Sequence, residues 1–318
     1  MKISIRIDLP YLRRISSDIQ TACRSQLPVL IWGETGTGKT ALARYIHDHS
    51  SRRSGPFINV HPQAIPENLL EAELFGFVKG AFTGAVKEKD GLLRRAHGGS
   101  LFLDQLESMP ISCQAKLLEA IETGSFRRLG ETQLTRSDFR LLAASIRKPE
   151  SLVVEGVLRK DLYFRLRGIL LFLPPLRERI EDLQVLMEVL LQNFSAELHR
   201  TLRFTPEARE IMLSYAWPGN IRELYNAIHA MAYAAKGEWI EAENVQGVLG
   251  NASTEFFPLR QVVCKAEREH IGKALMIADG RLKRAAHLLG ISLNTLKRKM
   301  REYELQNGRA ASGGGVKD

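Results

Sequence analysis

Apolar residues fall into two patterns along this chain. Short blocks are apolar at nearly every position: Val29–Trp32 (VLIW), Phe57–Val60 (FINV), the apolar part of SLFLD at 100–104 and that of FRLLAAS at 139–145. Such blocks, bounded by glycine, aspartate or serine, predict strands covered on both faces. Between them apolar residues return at a period near 3.6. Ala41, Leu42, Tyr45 and Ile46 do so within Thr40–His47, and Gln114–Glu122 and Asp182–Leu198 behave alike, predicting helices. Ile15, Ile19 and Ala22 share a helical spacing, so residues 1 to about 27 are expected to hold a short strand and an amphipathic helix. Strands alternating with helices predict an α/β fold with a parallel sheet. Trp32 is assigned to the sheet edge and Trp217 to the core of a helical region further on.

Strand signals stop near residue 178. Three helical stretches follow, 182–198, 206–215 and 221–236, and read as a small helical lid. Residues 250–261 break the pattern and are expected to link it to a last helical segment, 262–306. The glycine-rich end, 307–318, is expected to be a disordered tail. The layout expected is therefore 1–178 α/β, 179–249 lid, 250–261 linker, 262–306 all-α and 307–318 tail.

Composition narrows the class. The chain has 318 residues, 44% hydrophobic and 25% charged, enough apolar matter for a sizeable core. No apolar run approaches the ~20 residues of a bilayer span, and the first residues carry no secretory signal pattern. Cys23, Cys113 and Cys264 lie too far apart to suggest a disulfide framework or metal site, so a reducing cytoplasm is expected. The net charge is +9, compatible with nucleic acid. Residues 259–306 hold eleven lysines and arginines against five acids, a net +6.

Gly33-Glu34-Thr35-Gly36-Thr37-Gly38-Lys39-Thr40 fits G-x-x-x-x-G-K-T between a predicted strand and a predicted helix. Its backbone N–H groups and the helix's positive end suit the phosphates of ATP. Lys39 is expected to reach the β and γ phosphates, and Thr40 to hold Mg²⁺ through its hydroxyl. Asp104, ending an apolar strand, is the second expected Mg²⁺ residue, through water. Gln105 follows it. Glutamine can hydrogen-bond a water but cannot take its proton. Glu107 lies two residues on, on the wrong alternation or beyond the strand end, and is the lesser candidate for a substitute base.

Residues 283–300, KRAAHLLGISLNTLKRKM, read as a helix-turn-helix. Ala285, Ala286, Leu288 and Leu289 form one inward face, Gly290-Ile291 the turn, Ser292 a cap, and Leu293, Leu296 and Met300 the second inward face. The second helix would enter the major groove of double-stranded DNA. Asn294, Thr295 and Arg298 are base-edge candidates. Lys297, Lys299, Arg301, Lys283 and Arg284 are phosphate candidates.

Together these stretches resemble the AAA+ activators of sigma-54, the bacterial enhancer-binding proteins. ELFGFVKGAFTGA (73–85), GGSLFLD (98–104), QAKLLEAIETGSFRRLG (114–130), LRKDLYFRL (158–166), LPPLRER (173–179) and WPGNIREL (217–224) carry the resemblance, which covers residues 10–306. It implies an AAA+ P-loop domain with a helical lid and a Fis-type helix-turn-helix. It implies that the GAFTGA loop, through Phe82 and Thr83, touches sigma-54 RNA polymerase holoenzyme. It implies that Arg159 and Arg165 are arginine fingers reaching a neighbour's γ-phosphate in a ring, usually a hexamer, and that Arg222 senses the nucleotide from the lid. The short stretch before the P-loop resembles short family members without a regulatory domain, including activators of type III secretion genes.

Three positions depart from the family. Gln105 stands where an acidic residue is expected, His61 where a switch asparagine is expected, and Ile146 where a sensor asparagine is expected. These departures leave ATP binding intact and predict weak hydrolysis by the chain alone. Three outcomes stay open: slow turnover with Gln105 orienting water, a mixed ring with a competent paralogue, or a non-hydrolysing DNA-binding transcription factor.

Overall fold

The computed structural model describes residues 9–250, 267, 270–278 and 280–302. Its contacts divide the chain into two compact units, Met1–Asn251 and Ala252–Asp318. The strand expected before Leu9, the linker beyond Gly250 and the tail 307–318 lie outside the described residues.

Five strands build the sheet of the first unit: β1 (Val29–Trp32), β2 (Phe57–Val60), β3 (Ser100–Leu103), β4 (Arg140–Ser145) and β5 (Ile169–Phe172). All are parallel, in the order β2-β3-β4-β1-β5. Successive side chains of a strand point to opposite faces. Val29, Ile31, Phe102, Leu142 and Ala144 accordingly enter one core. Leu30, Leu101, Leu103, Leu141 and Ala143 enter the other. The first core continues without a break into the lid through Leu186, Leu190, Trp217, Leu224 and Ile228, which fixes the lid against the sheet.

Two strand expectations change. β1 lies between β4 and β5, so Trp32 is not on a sheet edge; its ring stacks on Phe172 with centroids 3.9 Å apart. β2 is the outer strand and is covered only in part: Val60 is buried and Asn59 is exposed. An outer strand has less of each face covered, and Asn59 stands exposed there near the site.

The lid holds helices Ile180–Glu197, Pro206–Ser214, Asn220–Ala234 and Ala242–Leu249. The fourth was not expected. Nor was the two-residue parallel ladder of Arg203–Phe204 with Trp239–Ile240, which is too short for alternation to show. Trp217 is fully buried in the lid, as expected, and its Nε1–H donates to the Met212 carbonyl at 2.8 Å.

In the second unit residues 270–277 are helical, followed by helices Leu282–Leu288 and Leu293–Glu302. Ile271, Leu275, Ala285, Ala286, Leu296 and Met300 form their core. Leu288, expected inward, is exposed. Gly290 ends the first helix of the pair at φ +64°, with Gly290 N–H donating to His287 O and Ile291 N–H to Ala286 O. That pair of bonds is a Schellman stop, which favours glycine. Ser292 Oγ accepts from Thr295 N–H at 3.1 Å and caps the next helix.

Candidate functional site

The loop between β1 and the helix Lys39–Asp48 wraps a cradle at the carboxyl end of the sheet. Lys39 is buried there. Its Nζ donates to the carbonyls of Gly33 at 2.7 Å and Glu34 at 2.9 Å, so the ammonium points into the ring of the loop. Burial lowers the Lys39 pKa from its usual value, against the opposing pull of Asp104 and Glu107. Thr37 closes the loop from within, its hydroxyl donating to Glu34 O at 2.8 Å. Gly36 is held at φ +80°, and a Cβ there would stand 2.2 Å from the Gly219 carbonyl oxygen of the lid.

That approach exists because lid and loop share hydrogen bonds. Ile221 N–H donates to Gly36 O at 3.0 Å. Asn220, fully buried at φ +55°, donates from Nδ2 to Thr35 O at 2.9 Å and accepts Leu176 N–H on Oδ1 at 2.7 Å. Arg177 forks onto both oxygens of Glu34 at 2.6 and 2.9 Å. This fork, aided by Asn220, holds the Glu34 carboxyl below its ordinary value. Arg222 follows directly on the lid helix, exposed, its Cβ 3.4 Å from where a Gly36 Cβ would stand. Beneath them the Arg179 guanidinium is buried, donating to Thr37 O at 3.3 Å and pairing with buried Asp182. Asn220 and Arg179 were not singled out from sequence. Only stretches of family likeness covered them, and their phosphate-loop partners, Thr35 and Thr37, lie over 140 residues away.

The opposite wall of the cleft carries the departures. Asp104 leaves β3 with Oδ2 accepting the Thr40 hydroxyl at 2.9 Å, so the two expected Mg²⁺ residues meet. His61 Nδ1 lies 3.6 Å from the same oxygen, and its Nε2 lies 3.0 Å from Asn59 Nδ2. An imidazole thus links the edge strand to Asp104. Gln105 sits at φ +64°, a left-handed conformation rare for a residue with a side chain. That reversal starts a tight turn, Leu106–Ser108, and returns Glu107 to the site. Glu107 Oε1 accepts the Ile146 N–H at 2.8 Å, at the end of β4. Its Oε2 is buried with no hydrogen-bond partner among the described residues. Glu107 thus lies beyond the end of β3, one of the two placements expected, and the turn at Gln105 brings it back.

The GAFTGA segment forms a hairpin. Gly76–Phe77 pairs antiparallel with Lys89–Asp90 at its base, and Gly80 N–H donates to Ala85 O at 2.9 Å near its tip. Phe82 and Thr83 are exposed, with the Phe82 ring meeting Phe77 edge-on, centroids 4.9 Å apart. Arg128 steadies the base through Glu131 at 2.6 Å and Glu88 at 3.1 Å.

Arg159 caps the helix Lys160–Leu166 and forks onto Asp161 at 2.7 and 3.1 Å. Arg165 is exposed and touches only the Ile121 carbonyl, at 3.4 Å, among the bonds described. Neither bonds to its own chain's P-loop. Buried Gln114 sets the position of Arg159: its Oε1 accepts Arg159 N–H at 2.9 Å and its Nε2 donates to Met109 O and Val157 O. A lone glutamine on an apolar helix face was the one sequence signal for it.

On the last helix Asn294, Lys297 and Arg298 are exposed. Thr295 Oγ1 lies 2.8 Å from Ser292 Oγ, so its hydroxyl serves the cap. Lys299 is half-buried and pairs with Glu267, which ties it to its own domain. The Arg301 side chain lies outside what the structure describes.

A P-loop on a parallel sheet, an acid at the end of the strand one removed from it and a helical lid seated on the loop define an AAA+ nucleotide-binding module. A family model described as the sigma-54 interaction domain matches residues 6–171. Models described as an AAA+ ATPase lid domain and as bacterial regulatory protein, Fis family, match 177–257 and 264–303. The chain is similar to regulatory protein AtoC of Escherichia coli (strain K12), 41% identical over 305 residues that cover 92% of this chain and 66% of AtoC. It is similar to DNA-binding transcriptional regulator NtrC of Azospirillum brasilense, 33% identical, covering 93% of this chain and 69% of that protein. The crystal structure of NtrX from Brucella abortus in complex with ATP superposes with a TM-score of 0.68 at 27% identity, over 93% of this chain and 68% of NtrX. The chain thus belongs to the family of sigma-54-dependent AAA+ transcriptional activators. It spans about two thirds of the length of these relatives. Among the described residues no helix is long and apolar enough to cross a membrane.

Proposed function

We propose that this chain binds double-stranded DNA upstream of a promoter, binds ATP, assembles into a ring and remodels sigma-54 RNA polymerase holoenzyme so that the promoter opens. The observation that carries this reading is the exposed Phe82-Thr83 tip on the same compact unit as the nucleotide cradle. An apolar tip held in water by a braced hairpin suits contact with a partner. Its sharing a unit with the P-loop suits control by nucleotide.

Lys39 and the loop's N–H groups bind the phosphates. Thr40 and Asp104 would hold Mg²⁺: hydroxyl and carboxylate oxygens are the donors this ion prefers, and they already meet at 2.9 Å. The ion would draw charge from the β and γ phosphates as the bond between them breaks. Arg159 and Arg165 act on a neighbour's nucleotide, in keeping with their lack of bonds to their own loop. The resulting assembly is a ring, a hexamer in the family's usual form, either of this chain alone or mixed with a paralogue. Arg222 reads the nucleotide from the lid. Asn294 and Arg298 read bases, and Lys297 meets phosphate. Thr295 and Lys299 join them only by leaving Ser292 and Glu267.

A second reading has its own support. Gln105 and Ile146 remove a base and a polar sensor, as in a factor that binds ATP and DNA without hydrolysis. Open-complex formation on a supercoiled sigma-54 promoter, with holoenzyme and ATP, separates the two. The first reading expects ATP-dependent opening that Lys39→Ala abolishes. Opening independent of ATP, or none, would favour the second.

A further inference from the structure

We infer that Glu107 is the carboxylate that takes the proton of the attacking water, replacing the acid lost at Gln105. This rests on the reading of the chain as an ATP-driven activator.

The geometry begins with the turn. Gln105 at φ +64° breaks the strand alternation and carries the chain into Leu106–Ser108. The Glu107 carboxylate is then pinned by Ile146 N–H at 2.8 Å. Ile146 follows Ser145, whose carbonyl accepts Gly33 N–H at 3.2 Å. Gly33 in turn holds Lys39 Nζ at 2.7 Å. Glu107 is therefore anchored at the strand end beside the phosphate cradle, and Lys39 feels its charge.

The bond to Ile146 needs only one acceptor, and a neutral glutamine would supply it. A carboxylate has a second oxygen, and Glu107 Oε2 is buried without a donor among the described residues. A buried acceptor in that position calls for a hydrogen-bonded water or ligand group. Ile146 has no polar side chain to fill the role, but its backbone N–H fixes the group that does. Two departures from the family are thus one arrangement. The isoleucine side chain offers no competing donor, and the acid arrives from two residues further along.

In the step itself the water oxygen bonds to the γ-phosphorus while its proton passes to Glu107 Oε2. The bond from that phosphorus to the bridging oxygen breaks, and its electron pair leaves on ADP. The proton then passes from the Glu107 carboxyl to the phosphate product.

The test compares ATP turnover of the purified full chain with Glu107→Gln, Gln105→Glu and the double variant, alongside titration with a fluorescent ATP analogue. Glutamine keeps the acceptor for Ile146 N–H, so the turn stays folded. Glu107→Gln should lower kcat by about 100-fold or more while leaving analogue binding within twofold of the parent. Gln105→Glu should restore turnover in the double variant. Parent-level turnover in Glu107→Gln overturns the inference and leaves the ATP-driven reading standing. So does loss of analogue binding together with rate, which would mark a structural role. A parent that turns over only once Gln105→Glu is made overturns the inference and moves hydrolysis in the native ring to a partner subunit. A parent that binds the analogue but neither hydrolyses ATP nor opens promoters in any variant overturns both.

Discussion

The two walls of the nucleotide cleft are built on different principles. The cradle wall, Gly33–Thr40, meets the lid through backbone: Gly36 O, Thr35 O and Thr37 O all accept hydrogen bonds from lid residues or from Arg179. The water-side wall is made of side chains on separate strands: His61 after β2, Asp104 and Glu107 after β3, and Ile146 after β4. A backbone wall tolerates little change, because glycine conformations and close approaches fix it. A side-chain wall can lose an acid at one position and regain one at another, provided the turn between them allows it.

Lys39→Ala is the largest expected break in the cradle. Removing the buried charge from one side of a charge–phosphate pair costs about 2–5 kcal/mol of ATP affinity, read by calorimetric titration. Next is Gly36→Ala, which combines a left-handed residue with a 2.2 Å approach to Gly219 O. The strain alone is worth about 1–3 kcal/mol, and both urea melting and nucleotide binding should register it. Asn220→Ala strands the Leu176 N–H and the Thr35 carbonyl, and should cost about 1–3 kcal/mol in urea melts.

The water-side wall should respond in the other direction. Gln105→Gly relieves a left-handed side-chain residue and should raise stability by about 1 kcal/mol in the same melts. A loss there would make the two walls alike. The smallest effect is expected from Arg177→Ala. The Arg177–Glu34 pair is two-fifths exposed, so it contributes under about 1 kcal/mol. Because Glu34 is held below its ordinary carboxyl value, that increment is present at neutral pH and lost as pH falls through the folded value. Parent and Arg177→Ala melting curves should therefore differ at pH 7 and converge in acid.

What could be read from sequence follows the same division. The cradle was legible because its residues are contiguous and lie between a strand and a helix. Asp104 was legible because an apolar strand ends on it. The turn that places Glu107 was not, since a period-two pattern carries no sign of a non-glycine residue in the left-handed region. Gln114 and Asn220 also act through distant partners, Val157 at 43 residues and Thr35 at 185, and no local period encodes such distances. In the DNA-binding end, charge marked Lys299 as a phosphate contact. Its pairing with Glu267 needed the fold. Leu288 was expected inward on one face with Ala285, Ala286 and Leu289, yet the core takes Ala285 and Ala286 from that helix, with Leu282 and Leu289 against it, and leaves Leu288 in solvent.

The bond from Ile221 N–H to Gly36 O sits at one end of the 15-residue helix Asn220–Ala234. That helix is about 22 Å long, so a pivot of about 10° at the loop would carry its far end about 4 Å. The lid is in this sense a lever with its fulcrum on the phosphate loop. A small adjustment at the loop is thereby enlarged into a displacement of several ångström at the far end of the helix, roughly twice what a helix half as long would give.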